Sequence, residues 1–92
     1  MRLEENKTGM DEEKKIVLYG TTWCGSSRTA RRLFDENHIE YDWKDIDQDM
    51  DARKYVEELN HGYRSVPTIV FPDGSTLVEP SSSVLKQKIG VV

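Results

Sequence analysis

The 92-residue sequence predicts an α/β fold with the element order βαβαββα. Three observations predict it. Apolar positions switch along the chain between the period of two of a strand and the period of about 3.6 of a helix. Near the C-terminus a Pro-Asp-Gly turn separates two β-favouring runs, a strong local signal for a hairpin. The third is the segment "YGTTWCGSSRTARRLF", residues 19–34, in which a short apolar strand gives way to an amphipathic helix at the chain's single cysteine, Cys24.

The elements follow in order. Residues 1–14 carry almost no apolar side chains and many charges, which predicts a flexible charged tail ahead of a domain spanning 15–92. "IVLY", from Ile16 to Tyr19, is a continuous β-favouring run ended by Gly20, as expected of a central strand buried on both faces. Ala30, Leu33 and Phe34 then share one helical face, with Arg28, Arg31, Arg32, Asp35 and Glu36 on the others. Ile39, Tyr41 and Trp43 alternate with Glu40, Asp42 and Lys44, the pattern of a strand with one face covered. Ala52, Tyr55, Val56 and Leu59 return to helical spacing, and "NHG" at 60–62 tolerates the left-handed backbone of a helix end. "VPTIVF" enters a strand through Pro67, "PDGS" turns, and "TLV" returns. The Pro and Ser residues of "EPSSSVLKQKIG" suit a helix start, Val84, Leu85 and Ile89 supply its apolar side, and Gly90 stops it.

Composition narrows the function. With 33% charged residues and a net charge of −4, the chain has neither the basic character of a general nucleic-acid binder nor an apolar run long enough to span a bilayer. No secretory leader is apparent at its N-terminus, so the expected location is cytoplasmic. A lone cysteine makes no internal disulfide. Cys24 is therefore an inert core thiol, a metal ligand that needs outside help, or a thiol that reacts with another molecule.

Its position favours the third. In a sheet with βαβ crossovers the ligand crevice lies beyond the carboxyl ends of the strands, where Cys24 falls. A helix beginning near Gly25 or Ser26 would set unpaired N–H groups and the positive end of its dipole against the sulfur. Such settings lower a cysteine pKa from about 8.5 to as little as about 3.5 and make a nucleophile at neutral pH. Trp23 either walls the sulfur from water or caps the core. Ser26 and Ser27 either donate hydroxyls to the thiolate or cap the helix. His38 and His61 read as solvated loop residues, and the arginine cluster as an exposed helix face, with Arg28 near enough to meet an anionic thiol substrate. One cysteine without clustered histidines is too few ligands for an all-protein zinc site.

The motifs "TTWCGSS", "RSVPT" and "FPDGSTLVEPSS", in this order and on this plan of strands and helices, resemble a glutaredoxin, closest to the mycoredoxin-like branch, over residues 15–90. The resemblance implies a thioredoxin-like fold: a four-stranded mixed sheet in the order 2-1-3-4 with helices on both faces. It also implies a cis Pro67 facing Cys24, with Val66 offering its backbone to the incoming thiol, and an anionic end of a thiol cofactor seated near Ser81 and Ser82. Thiol-substrate contacts are accordingly expected from Trp23, Gly25, Ser26, Ser27, Arg64, Val66, Pro67, Ser81 and Ser82, with Cys24 catalytic.

Three departures from the family pattern matter. Ser27 stands where a second cysteine is common, Ser26 where an aromatic residue is usual, and Thr21 where many glutathione users carry a basic residue. Without the second cysteine the resemblance implies a monothiol mechanism, in which Cys24 reduces mixed disulfides between proteins and a low-molecular-weight thiol such as glutathione or mycothiol. Expected partners are that thiol and the disulfide-bearing proteins, with no nucleic acid, membrane or metal, and the chain acting as a monomer. The alternative is a [2Fe-2S] carrier in which Cys24 and an external thiol hold a cluster within a dimer. A non-catalytic adaptor and an arsenate-reductase-like site at Cys24 and Arg28 rank below both.

Overall fold

The computed structural model describes residues 15–90; the charged tail expected over 1–14 lies outside the described residues. The element order is β1 (Ile16–Gly20), α1 (Gly25–Glu36), β2 (Tyr41–Asp45), α2 (Met50–Leu59), β3 (Thr68–Val70), β4 (Thr76–Val78) and α3 (Ser82–Ile89). The strands form one mixed sheet in the order β2-β1-β3-β4. β1 runs parallel to β2 and antiparallel to β3, which pairs antiparallel with β4. Leu18 therefore sits between Trp43 and Ile69, at the centre of the sheet.

Alternation along β1 sends Leu18 to one face and Tyr19 to the other. On the first face Leu18, Ile69 and Phe71 pack with Ala30 and Phe34 of α1 and Leu85 of α3. On the second, Ala52 and Val56 of α2 pack with Ile46, while Tyr19 and Val66 lean on them. Tyr55, expected in the apolar stripe of α2, is partly exposed and stacks on Tyr19 with ring centroids 5.3 Å apart. Val84 departs from expectation: it is 44% exposed, because α3 turns only Leu85 and, in part, Ile89 toward the sheet.

The helix ends obey their local chemistry. Asp49 accepts the Ala52 N–H at 3.0 Å and Ser81 the Val84 N–H at 3.2 Å, each satisfying a first-turn donor. The "NHG" stop of α2 places His61 at φ 58° and Gly62 at φ 97°. In the β3–β4 turn Asp73 accepts from the Ser75 hydroxyl at 2.6 Å and its N–H at 2.9 Å, with Lys88 at 3.3 Å; these donors hold the Asp73 pKa down at about 2. Among the described residues, no helix is long and apolar enough to cross a membrane.

Candidate active site

The chain leaves β1 at Gly20 and enters α1 at Gly25, and Cys24 is the N-cap residue between them, with extended backbone at φ −82° and ψ 122°. Ser and Asp oxygens usually accept the first-turn N–H groups of a helix. Here the cap is a thiol that makes no cap hydrogen bond, so the sulfur itself faces those donors. Neither Ser26 nor Ser27 caps α1, contrary to the simpler reading of the sequence.

Ser27 is fully buried beneath the turn. Its hydroxyl oxygen accepts the Thr21 N–H at 3.4 Å, leaving the hydroxyl proton available to the sulfur. Gly20 makes that position possible: a Cβ there would stand 2.5 Å from Ser27 Oγ and 2.9 Å from its Cβ. Thr21 is buried as well, and its own Oγ1 has no partner among the described residues.

Opposing influences meet at Cys24. Burial pushes its thiol pKa up, as does the Glu79 carboxylate, while the Ser27 N–H, the Ser27 hydroxyl and the Ser26 N–H stabilise the anion and bring it below the ordinary cysteine value. Across the site the thiol reaches the Val66 carbonyl at 3.9 Å, a weak contact that only the protonated form can donate. Donors therefore favour the thiolate on the helix side and an acceptor favours the thiol on the other; the three donors together outweigh burial and the Glu79 carboxylate.

The Val66–Pro67 peptide bond is cis. Its loop is tied on both sides, since the Glu79 N–H donates to the Pro67 carbonyl at 2.8 Å and the Asn60 amide to the Thr68 hydroxyl at 3.2 Å. Cys24, Ser26, Ser27 and Val66 thus come together around one sulfur. Gly25 and Ser26 also line a cleft of about 460 Å³ that Ser81 and Ser82 close from the start of α3.

Two predicted residues turn elsewhere. Trp23 is 68% exposed, so it does not cap the core; its indole N–H donates to Asp47 Oδ2 at 2.8 Å in the turn after β2. Arg64 is paired with Glu57 of α2, Nε to Oε2, at 2.6 Å. His38 and His61 are exposed turn residues with left-handed backbone, as expected. Sequence reasoning missed Gly20, Asp47 and Glu79. Only Gly20 carried a local signal, because glycine at a strand end often marks a close approach.

The described residues hold no group of three or more histidine, cysteine or acidic side chains arranged for a metal ion. The donor set does not fit a four-thiolate cluster within one chain, because each chain supplies one thiol. A half-buried cysteine with a lowered pKa beside an open backbone acceptor is suited, once ionised, to attack on a disulfide sulfur.

The chain is similar to known proteins of one family. The family model named Glutaredoxin matches residues 16–76. A Mycobacterium tuberculosis protein named as a glutaredoxin is 39% identical over 74 residues, 80% of this chain and 88% of its own. Mycoredoxin 1 of Corynebacterium glutamicum is 35% identical over 74 residues, covering 80% of this chain and 91% of that protein. The crystal structure of a thioredoxin-like protein superimposes with a TM-score of 0.71 at 25% identity, over 82% of this chain and 99% of that one. The family match runs unbroken from β1 through the cysteine turn and the cis proline into the hairpin, and on that ground the chain belongs to the glutaredoxin family.

Proposed function

We propose that this protein is a monothiol oxidoreductase that reduces mixed disulfides between proteins and a low-molecular-weight thiol. The observation that carries the reading is Cys24 at the start of α1, its pKa lowered by Ser26 and Ser27, with a buried serine in the place of a second thiol. The Cys24 thiolate attacks the small-thiol sulfur of the mixed disulfide. A bond forms between Cys24 Sγ and that sulfur, the original S–S bond breaks, and the protein sulfur leaves as a thiolate that takes a proton from solvent.

A second small-thiol molecule, as its thiolate, then attacks the small-thiol sulfur held on Cys24. The products are the symmetric small-molecule disulfide and the regenerated Cys24 thiolate, so each turnover consumes one free small-thiol molecule, and the other half of the product disulfide is the small thiol that the mixed disulfide brought in. Ser27 holds no sulfur and takes no part in resolution. In this reading Val66 offers its backbone to the incoming chain at Pro67, Gly25 and Ser26 line the approach, Ser81 and Ser82 seat the far end of the small thiol, and Trp23 forms the outer rim.

The likeness to mycoredoxin 1 supports mycothiol ahead of glutathione. So does the pairing of Arg64 with Glu57, which occupies the cation otherwise suited to a glutathione carboxylate. A monomer working in a reducing cytoplasm agrees with this use of one thiol.

Intact-mass measurement after exposure to oxidised mycothiol or oxidised glutathione tests the reading. The expected result is a single adduct on Cys24, faster with mycothiol, with neither adduct nor turnover in Cys24→Ser. Turnover of a mixed-disulfide reporter by Cys24→Ser, or wild-type Cys24 inert to both oxidants, would overturn it.

A further inference from the structure

The cleft beside Cys24 extends past the α3 N-terminus. Its walls are Gly25, Ser26, Arg28 and Arg32 of α1 and Ser81 and Ser82 of α3. It continues into a shallower depression of about 160 Å³ that shares Thr29, Arg32 and Ser82 with it and ends at Lys86 and Glu36. From Gly25 to Glu36 the helical rise makes this groove about 16 Å long. An extended chain of roughly five residues spans that length.

The charge of the groove is opposite to that of the molecule. The chain carries a net charge of −4, yet Arg28, Arg32 and Lys86 line the groove with Glu36 as the one carboxylate among them, at the end far from the sulfur. Among the described residues neither arginine nor Lys86 forms an ion pair. Arg28 reaches back with Nη1 to the Thr22 carbonyl at 3.5 Å, which holds its guanidinium against the cysteine turn. Arg31 is different in kind. It lies 4.2 Å over the Trp43 ring and does not line the cleft, although it shares a separate depression on the outer side of α1 with Arg28, Arg32 and Asp35.

We propose that the α1 wall of this groove is a specificity site for the protein half of the mixed disulfide, in which Arg28 and Arg32 receive acidic side chains flanking the substrate cysteine while Ser81 and Ser82 on the α3 wall keep the small thiol. The proposal rests on the oxidoreductase reading and names its substrate class. Charge complementarity selects the occupant. A polypeptide acidic beside its cysteine gains two guanidinium contacts along the groove, whereas a neutral or basic one meets unsatisfied cations. The length argues for polypeptide over a small thiol, because the cations continue a full helical turn and more beyond the residues nearest the sulfur.

The test uses peptides with one cysteine, each in disulfide linkage to the same small thiol, whose neighbours are aspartates in one and serines in the other. At low salt the wild type is expected to show a kcat/KM roughly tenfold or more higher for the acidic peptide. Rising ionic strength should shrink the advantage. Arg28→Gln with Arg32→Gln should bring the ratio close to one, and Arg31→Gln, which removes the same charge from the wrong place, should leave the ratio intact. A ratio unmoved in the double variant overturns the proposal. So does a ratio that follows an acidic group moved onto the small-thiol half, which would make the groove a cofactor subsite. A second measurement is independent of thiol chemistry: NMR titration of Cys24→Ser with the acidic peptide lacking a disulfide should shift amides of α1 and α3, and no shift there overturns the proposal even if turnover is normal. Shifts on the groove without turnover by the wild type would instead defeat the oxidoreductase reading and leave the groove standing.

Discussion

On one face of the sheet α1 and α3 bring Ala30, Phe34 and Leu85 onto Leu18, Ile69 and Phe71; on the other, α2 alone brings Ala52 and Val56 onto Ile46. The reactive centre draws on both. Its sulfur comes from the first face, at the end of a helix anchored by Phe34 and Ala30, while Val66, whose carbonyl faces that sulfur, leans on the smaller cluster. Heavier packing fixes a helix end more firmly, because each buried side chain must move before the backbone can. The proposed nucleophile is thus mounted on the rigid side, and the cis-proline backbone that faces it on the lighter one.

The largest expected effect tests the inequality itself. Phe34→Ala should cost about 3–5 kcal/mol, against roughly 2 kcal/mol for Val56→Ala on the opposite face, by denaturant unfolding of the two variants. Equal losses would break the comparison.

Gly20→Ala probes the junction between the rigid face and the sulfur. The added methyl meets the buried Ser27 at 2.5 Å and the ring of half-buried Trp43 at 3.1 Å. A loss of roughly 1–3 kcal/mol is expected from overpacking, together with slower alkylation of Cys24 as the start of α1 is displaced. Full stability with unchanged alkylation would mean that Ser27 can move freely.

The smallest effect on stability, about 1 kcal/mol, is expected for Ser27→Ala, but it carries the clearest chemical sign. The Ser27 hydroxyl lowers the Cys24 pKa together with the Ser27 and Ser26 N–H groups. Removing it leaves the backbone donors and raises the pKa. The thiolate is the nucleophile, so the pH profile of alkylation should move to higher pH, with a lower rate at neutral pH and a similar plateau in alkali. A profile that stays in place would assign the activation to the backbone alone.

Much of this was legible before any coordinates. The hairpin was readable because Pro, Asp and Gly dictate a turn within four residues, and the helices because Ala30, Phe34, Ala52 and Val56 repeat at helical spacing. Trp23 was not. Its residue type suits a core or a rim equally, and the choice fell to Asp47, a hydrogen-bond partner 24 positions away. Arg64 was likewise unreadable, since its engagement by Glu57 depends on how the α2–β3 loop folds back on α2. Val84 shows the limit of pattern within a helix: the eight-residue α3 buries Leu85 on the sheet face and leaves Val84 exposed.

Local chemistry in the chain determined the order of elements, the placing of the lone cysteine at a strand-to-helix turn and, through family motifs, the proline opposite it. These depend on neighbours within a few residues or on recurring signatures. Packing decided that Ser27 is sealed beneath the sulfur by the bare face of Gly20, that Val66 turns its carbonyl to Cys24, and that Arg28 and Arg32, unlike Arg31, line the cleft closed by α3. Each of those is a distance between atoms far apart in the chain or on adjoining helix faces, and such distances exist only once the sheet has brought its helices together.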